Sequence, residues 1–170
     1  IDSTNAAIYS RDYISFSGDG MLNVNGKFQD GINGKDEVII KSGNITVNAV
    51  DDGIRGKDFV LIHGGTINVT TTSGDGIKSD DITIGALGYI SIDGGTSTVV
   101  SKGDGISATG AVNISDRSVN VTAGGGGTTT PSTTISSKGL KGDESVNVTG
   151  GTIVLSTADD AINSDNLAFV

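Results

Sequence analysis

The stretch Val50-Asp51-Asp52-Gly53-Ile54-Arg55-Gly56-Lys57-Asp58 decides the fold, because variants of it return along the chain. Asp30-Gly31-Ile32-Asn33-Gly34-Lys35-Asp36 precedes it. Asp75-Gly76-Ile77-Lys78-Ser79-Asp80-Asp81, Asp104-Gly105-Ile106-Ser107 and Asp159-Asp160-Ala161-Ile162-Asn163-Ser164-Asp165 follow it. With the apolar residue of each copy as anchor, Ile8, Ile32, Ile54, Ile77, Ile106, Leu140 and Ile162 lie 24, 22, 23, 29, 34 and 22 residues apart. Such a period marks a repeat architecture, in which each unit buries its apolar face against its neighbours.

Five or six residues after each anchor comes an alternating pair: Ile14/Phe16, Val38/Ile40, Val60/Ile62, Ile82/Ile84, Val112/Ile114, Val146/Val148 and Leu167/Phe169. A second pair follows at Leu22/Val24, Ile45/Val47, Ile67/Val69, Ser97/Val99, Val119/Val121 and Ile153/Leu155. Residues two apart share a strand face, so each unit holds three short strands. The leucine spacing of leucine-rich repeats and the six-residue step of hexapeptide repeats are both absent. The fold expected is all-β: a parallel β-helix of about seven coils, each of roughly 22 residues, stacked about 4.8 Å apart as one domain over residues 1–170. Two coils are longer than the rest. An outward hairpin is expected near 85–92 and a flexible Gly/Thr excursion near 123–134.

The composition agrees. Twenty-seven glycines beside one proline suit many short strands joined by tight turns. The absence of cysteine excludes disulfides and thiolate metal sites. A net charge of -9 argues against a nucleic-acid partner. No apolar run is long enough for a transmembrane segment. A monomer with an extracellular or cell-surface location is expected.

Stacking turns sequence columns into spatial rows. Two residues before the anchor stand Asp30, Asp52, Asp75 and Asp104, then Lys138 and Asp160, with Asp51 and Asp159 one position earlier. Four residues after the anchor stand Asp12, Asp36, Asp58 and Asp81. Adjacent carboxylates at this spacing repel by about 3 kcal/mol at an effective dielectric near 20, so the rows need compensation. Backbone N–H groups at the corners are one source. Interleaved Lys35, Arg55, Lys57 and Lys78 are another. The third is Ca²⁺, which takes six to eight oxygen ligands. Asp30, Asp51, Asp52 and Asp75 are the densest candidate set, and Asp104, Asp159 and Asp160 extend it to more than one site. Asp36, Asp58, Asp81, Asp143 and Asp165 are further candidates. Zinc is disfavoured, because His63 is the only histidine.

Asp30-Gly31-Ile32, followed 22 residues later by Asp52-Gly53-Ile54, resembles the calcium motif of the family-nine pectate lyases. The repeated Asp-Gly-Ile-Lys/Arg and Gly-Gly-Thr-Ile-Asn-Val-Thr phrases resemble a group of clostridial extracellular carbohydrate-binding proteins, polysaccharide-lyase-like β-helices that bind cellulose and acidic sugars. The resemblance implies a right-handed β-helix, calcium, and a polysaccharide partner such as cellulose or pectin (polygalacturonate). In the lyase motif a further acid follows the aspartate pair by three residues, where this chain has Arg55, with Asn163 at the matching place after Asp160. A lyase also needs a Lys or Arg base of lowered pKa. Arg55, Lys57 and Lys78 are the residues available for that role, and each reads more simply as a charge partner of the aspartates. Those three, with Tyr89 as a stacking ring, are the candidate sugar contacts. The function expected is calcium-dependent carbohydrate binding without turnover. A calcium-dependent lyase working by β-elimination and a structural cell-surface β-helix are the alternatives.

Overall fold

Strict alternation of small β-branched residues, interrupted every few positions by Gly, Asn or Asp, leaves the chain no run long enough for a helix. The computed structural model describes residues 6–83 and 86–170, and all its regular structure is strand. The first coil comprises β1 (Ala6–Ser10), β2 (Ile14–Phe16) and β3 (Met21–Asn25), and the second β4 (Asp30–Gly34), β5 (Glu37–Ile40) and β6 (Asn44–Ala49). The third comprises β7 (Ile54–Gly56), β8 (Phe59–Ile62) and β9 (Thr66–Thr71), and the fourth β10 (Ile77–Ser79), β11 (Tyr89–Ile92) and β12 (Thr96–Ser101). The fifth holds β13 (Ile106–Ala108), β14 (Ala111–Ile114) and β15 (Ser118–Ala123), and the sixth β16 (Leu140–Gly142), β17 (Ser145–Val148) and β18 (Thr152–Thr157). The seventh has β19 (Ile162–Ser164) and β20 (Leu167–Phe169).

Each strand pairs in parallel with its counterparts one coil away. The result is three sheets of seven, seven and six strands, the repeating three-strand coil of a parallel β-helix. In the first sheet the register stacks Ile8, Ile32, Ile54, Ile77, Ile106, Leu140 and Ile162, the anchor column of the sequence. The third sheet stacks Ile45, Ile67, Ser97, Val119 and Ile153 beside Val47, Val69, Val99, Val121 and Leu155. These columns face inward, and the anchors from Ile32 to Leu140 are fully buried. Each contributes roughly 1.5–3 kcal/mol of apolar burial against the entropy of ordering.

The motif's glycine has a packing cause. A Cβ on Gly31, Gly53, Gly76 or Gly105 would overlap Cγ1 of Val47, Val69, Val99 or Val121, the inward valine of the same coil's third strand. Asp-Gly-Ile is therefore a corner at which backbone meets core.

The second sheet corrects the sequence reading twice. Its inward columns run Ile14, Val38, Val60, Ile90, Val112, Val146, Ala168 and Phe16, Ile40, Ile62, Ile92, Ile114, Val148. The fourth-coil strand is thus Tyr89–Ile92, where a hairpin is expected from the sequence. The pair assigned there does not occupy the strand: Ile82 is 85% exposed, and Ile84 and Gly85 lie outside the described residues. The added residues form the connection between β10 and β11, held down by Gly88 N–H to Asp58 O (2.6 Å) and Thr109 Oγ1 to Asp81 O (2.5 Å). At the last coil Leu167 and Phe169 pair with Ser145 and Asn147 on the outward face, and Ala168 takes the inward column. A one-residue offset exchanges faces, because the strand period is two. The Gly/Thr excursion runs between β15 and β16, and residues 127–136 are exposed.

Candidate functional site

The repeated corner sets an inner carboxylate row along the edge of the first sheet. Asp52 N–H donates to Asp30 Oδ1 (3.2 Å), Asp75 N–H to Asp52 Oδ1 (2.9 Å), Asp104 N–H to Asp75 Oδ1 (2.8 Å) and Lys138 N–H to Asp104 Oδ1 (2.8 Å). Each carboxylate therefore accepts the amide of the residue stacked on it, which is corner chemistry repeated along the axis. Other partners complete the row. Asn33 Nδ2 donates to Asp30 Oδ2 (2.6 Å), and Ser136 Oγ donates to Asp104 Oδ1 (2.6 Å). Lys78 Nζ bridges Asp52 Oδ2 (3.4 Å) and Asp75 Oδ2 (3.1 Å). Burial raises the pKa of Asp30 and pushes Asp52 up to about 6, in spite of Lys78 beside it.

Beside this row the outward positions of the first sheet are Tyr9, Asn33, Arg55, Lys78, Ser107, Lys141 and Asn163, one per coil, of which Asn33 and Ser107 are buried. Arg55 Nη2 bonds Asp80 Oδ2 at 2.6 Å, a single contact that leaves Arg55 Nε and Asp80 Oδ1 buried without a partner among the described residues. Burial alone would lower the pKa of Lys78 and Arg55. Asp75 and Asp52 outweigh it for Lys78, and Asp80 for Arg55, so both end raised and remain cations.

The remaining candidates disperse. Lys57, half exposed, lies 3.5 Å from Asp81. Lys138 Nζ pairs with Asp159 (2.9 Å), Lys141 Nζ with Asp143 (3.2 Å), and Asn163 Nδ2 donates to Asp160 (3.4 Å). Asp51 and Asp165 are exposed. In the column after the anchor, burial and the neighbouring Asp36 and Asp81 raise the pKa of Asp58. Among the described residues, the acidic group whose ligand oxygens gather within 4.8 Å of one another is Asp12, Asp36 and Glu37. Asp30, Asp51, Asp52 and Asp75 form no such group, and the oxygens of the buried row are committed to amides, Asn33 and Lys78. That row does not fit a cation needing six or more oxygens. Asp12, Asp36 and Glu37 have the donor chemistry for one. Sequence reasoning missed Glu37, although it directly follows a column aspartate, and Asp80, which carries no column signal.

Tyr89 stands on a strand of the second sheet. Its ring stacks on Phe59 of the coil below, centroids 5.0 Å apart and planes at 19°. Phe59 carries no sequence signal except its place one coil from Tyr89 in the true register.

A family model described as carbohydrate-binding domain-containing protein matches residues 1–170, and the chain belongs to that family. A protein of Acetivibrio thermocellus with the same description is 45% identical over 121 residues, which are 71% of this chain and 42% of that protein. The solved structure of a polysaccharide lyase-like protein from C. thermocellum, a gadolinium derivative, matches all of this chain with a TM-score of 0.64 at 29% identity. The chain covers 58% of that structure, so it spans about half the length of these relatives.

Proposed function

We propose that the chain binds plant-cell-wall polysaccharide outside the cell without turning it over, and that acidic sugars such as polygalacturonate lie along the first sheet. The observation carrying this reading is the row of Arg55, Lys78, Lys141 and Asn163, the outward positions of coils three, four, six and seven of the first sheet that keep part of their surface in solvent. Coils repeat every 4.8 Å or so, close to the length of one sugar residue in an extended chain, so a chain laid along the axis meets these donors at whole-sugar steps. Arg55, Lys78 and Lys141 supply charge for uronate carboxylates.

The same residues argue against β-elimination. A base must be deprotonated near neutral pH, whereas the aspartates hold Lys78 and Arg55 in the charged form. Calcium enters as a bridge at the outer column, where Asp12, Asp36 and Glu37 would hold it. The ion would link the protein to a uronate carboxylate and offset the net charge of -9 that otherwise repels a polyanion.

The test is retention on immobilised polygalacturonate with Ca²⁺ and with chelator, while unsaturated product is followed in the ultraviolet. Retention that weakens with chelator and in Lys78→Ala, with no product, is expected. Sustained product formation lost in Lys57→Ala or Lys78→Ala would make the protein a lyase. No retention at all would leave a structural role.

A further inference from the structure

The excursion between β15 and β16 serves neither the stack nor the charged row over most of its length. It leaves the third sheet through Gly124, Gly125 and Gly126, all in the left-handed region (φ 63°, 92° and 88°), which turn the chain off its coil. It returns at Ser136, whose hydroxyl bonds Asp104, and at buried Ser137. From Gly127 to Ser136 every residue is exposed, seven of these ten carry a hydroxyl, Pro131 stands among them, and none is charged. Residues 130–137 make no backbone–backbone hydrogen bond among the described residues. The ties inside the segment are few: Thr129 Oγ1 donates to Gly125 O (3.0 Å), and the amides of Thr134 and Ile135 donate to Ser132 Oγ (3.2 and 3.1 Å). The hydroxyls of Thr128, Thr130 and Thr133 bond no described residue.

We infer that this excursion is a modification site, at which a glycosyltransferase attaches hexose or N-acetylhexosamine residues to the hydroxyls of residues 128–134. In the transfer the Oγ of the acceptor attacks the anomeric carbon of a glycosyl phosphate donor. The bond from that carbon to the phosphate oxygen breaks, its electron pair leaves with the phosphate, and the hydroxyl proton passes to a base of the transferase. Three observations support the assignment. A transferase must take the acceptor as extended chain with its backbone free, and this segment offers one, with Pro131 holding Thr130 extended. The other hydroxyls of the chain are poorer acceptors. Those on the third sheet sit on strands paired with the neighbouring coils, and at the corners Thr72 and Ser73 donate to Val50 O and Thr109 to Asp81 O. Finally, Ser and Thr with Pro and without charge is the composition of O-glycosylated stalks. Attached sugars would also cover the exposed segment at which a protease would otherwise cut. The inference is independent of which polysaccharide the first sheet binds.

The experiment is peptide mass spectrometry of the protein purified from its own cells and, in parallel, from a host without protein O-glycosyltransferases. Trypsin cuts after Arg117 and Lys138, so Ser118 to Lys138 comes off as one peptide that carries the whole excursion. From its own cells that peptide should be heavier by whole hexose or N-acetylhexosamine residues, which alkaline β-elimination removes; from the second host it should have the mass of its sequence. A variant with Ala at the six hydroxyl residues 128–130 and 132–134, made in the protein's own cells, should lose the increments and keep the wild-type melting temperature, because these side chains touch no core residue. A peptide from the protein's own cells found only at its sequence mass overturns the inference. Increments that survive β-elimination overturn it too, since they would place the sugar on the amide of Asn120 in Asn120-Val121-Thr122. Increments that persist in the Ala variant place the modification on the strand and overturn it as well.

Discussion

Asp52 sits in the middle of the buried carboxylate row, 5% exposed, with Lys78 and the Asp75 amide as partners. Its folded pKa of about 6 lies above the ordinary aspartate value, so the fold favours its protonated form. As pH rises from 4 to 7 the unfolded chain loses this proton before the folded chain does, and the contribution of Asp52 to stability falls. In Asp52→Asn that dependence is absent while the Asp75 amide keeps an oxygen acceptor. Urea unfolding should therefore show the wild type gaining about 2 kcal/mol relative to Asp52→Asn between pH 7 and pH 4. A difference that stays constant or reverses would mean that Lys78 compensates the charge fully. Ser97 gives a simpler case. It occupies an inward column between Ile67 and Val119, fully buried, and its hydroxyl has no partner among the described residues. Ser97→Val restores the apolar ladder and should raise unfolding free energy by about 1–3 kcal/mol, the cost of an unsatisfied buried hydroxyl.

At the scale of the strand, spacing from the anchor decides which residues enter the core. In the second sheet the inward residue lies six positions after the anchor in six coils, as in Ile32 to Val38 or Ile162 to Ala168, but thirteen after it in the fourth, Ile77 to Ile90. Ile90→Ala should accordingly cost about 2–5 kcal/mol and Ile82→Ala less than about 0.5 kcal/mol, measured by denaturant melts; the opposite order would restore Ile82 to the strand. This column also shows how far the sequence could be read. Anchors and the third sheet were legible because their apolar residues recur at one offset from a motif with its own packing requirement at Gly53. The second sheet is legible where the offset from the anchor is held at six; an offset of five reads Leu167 and Phe169 as inward in place of Ala168. The carboxylate rows were legible as rows. Their partners were not, because Lys78 bridging two aspartates and Arg55 reaching Asp80 depend on side-chain reach across coils, and Phe59 became visible beside Tyr89 only once the register was correct.

For the molecule as a whole, a stack of coils has only nearest-neighbour contacts, so its stability should be close to a sum over coils and interfaces. Deleting residues 54–76 tests this directly. The deletion removes β7, β8 and β9 and joins Gly53 to Ile77, so the chain still reads Asp52-Gly53-Ile77-Lys78 at the corner. The second coil would then meet the fourth, with Ile32 against Ile77, Val38 and Ile40 against Ile90 and Ile92, and Val47 against Val99. The inward columns keep apolar neighbours except where Ile45 meets Ser97, as Ile67 does in the intact chain, and Lys78 keeps Asp52. Far-ultraviolet circular dichroism should retain the strand spectrum, and the denaturant slope should fall by about one seventh, in proportion to the surface lost with one coil. Deleting only residues 54–65 removes β7 and β8 but leaves β9 without the rest of its coil, and should abolish cooperative unfolding. If the in-register deletion unfolds as completely as the partial one, the coils are not exchangeable units, and the aspartate and isoleucine columns stabilise the molecule only as a complete set.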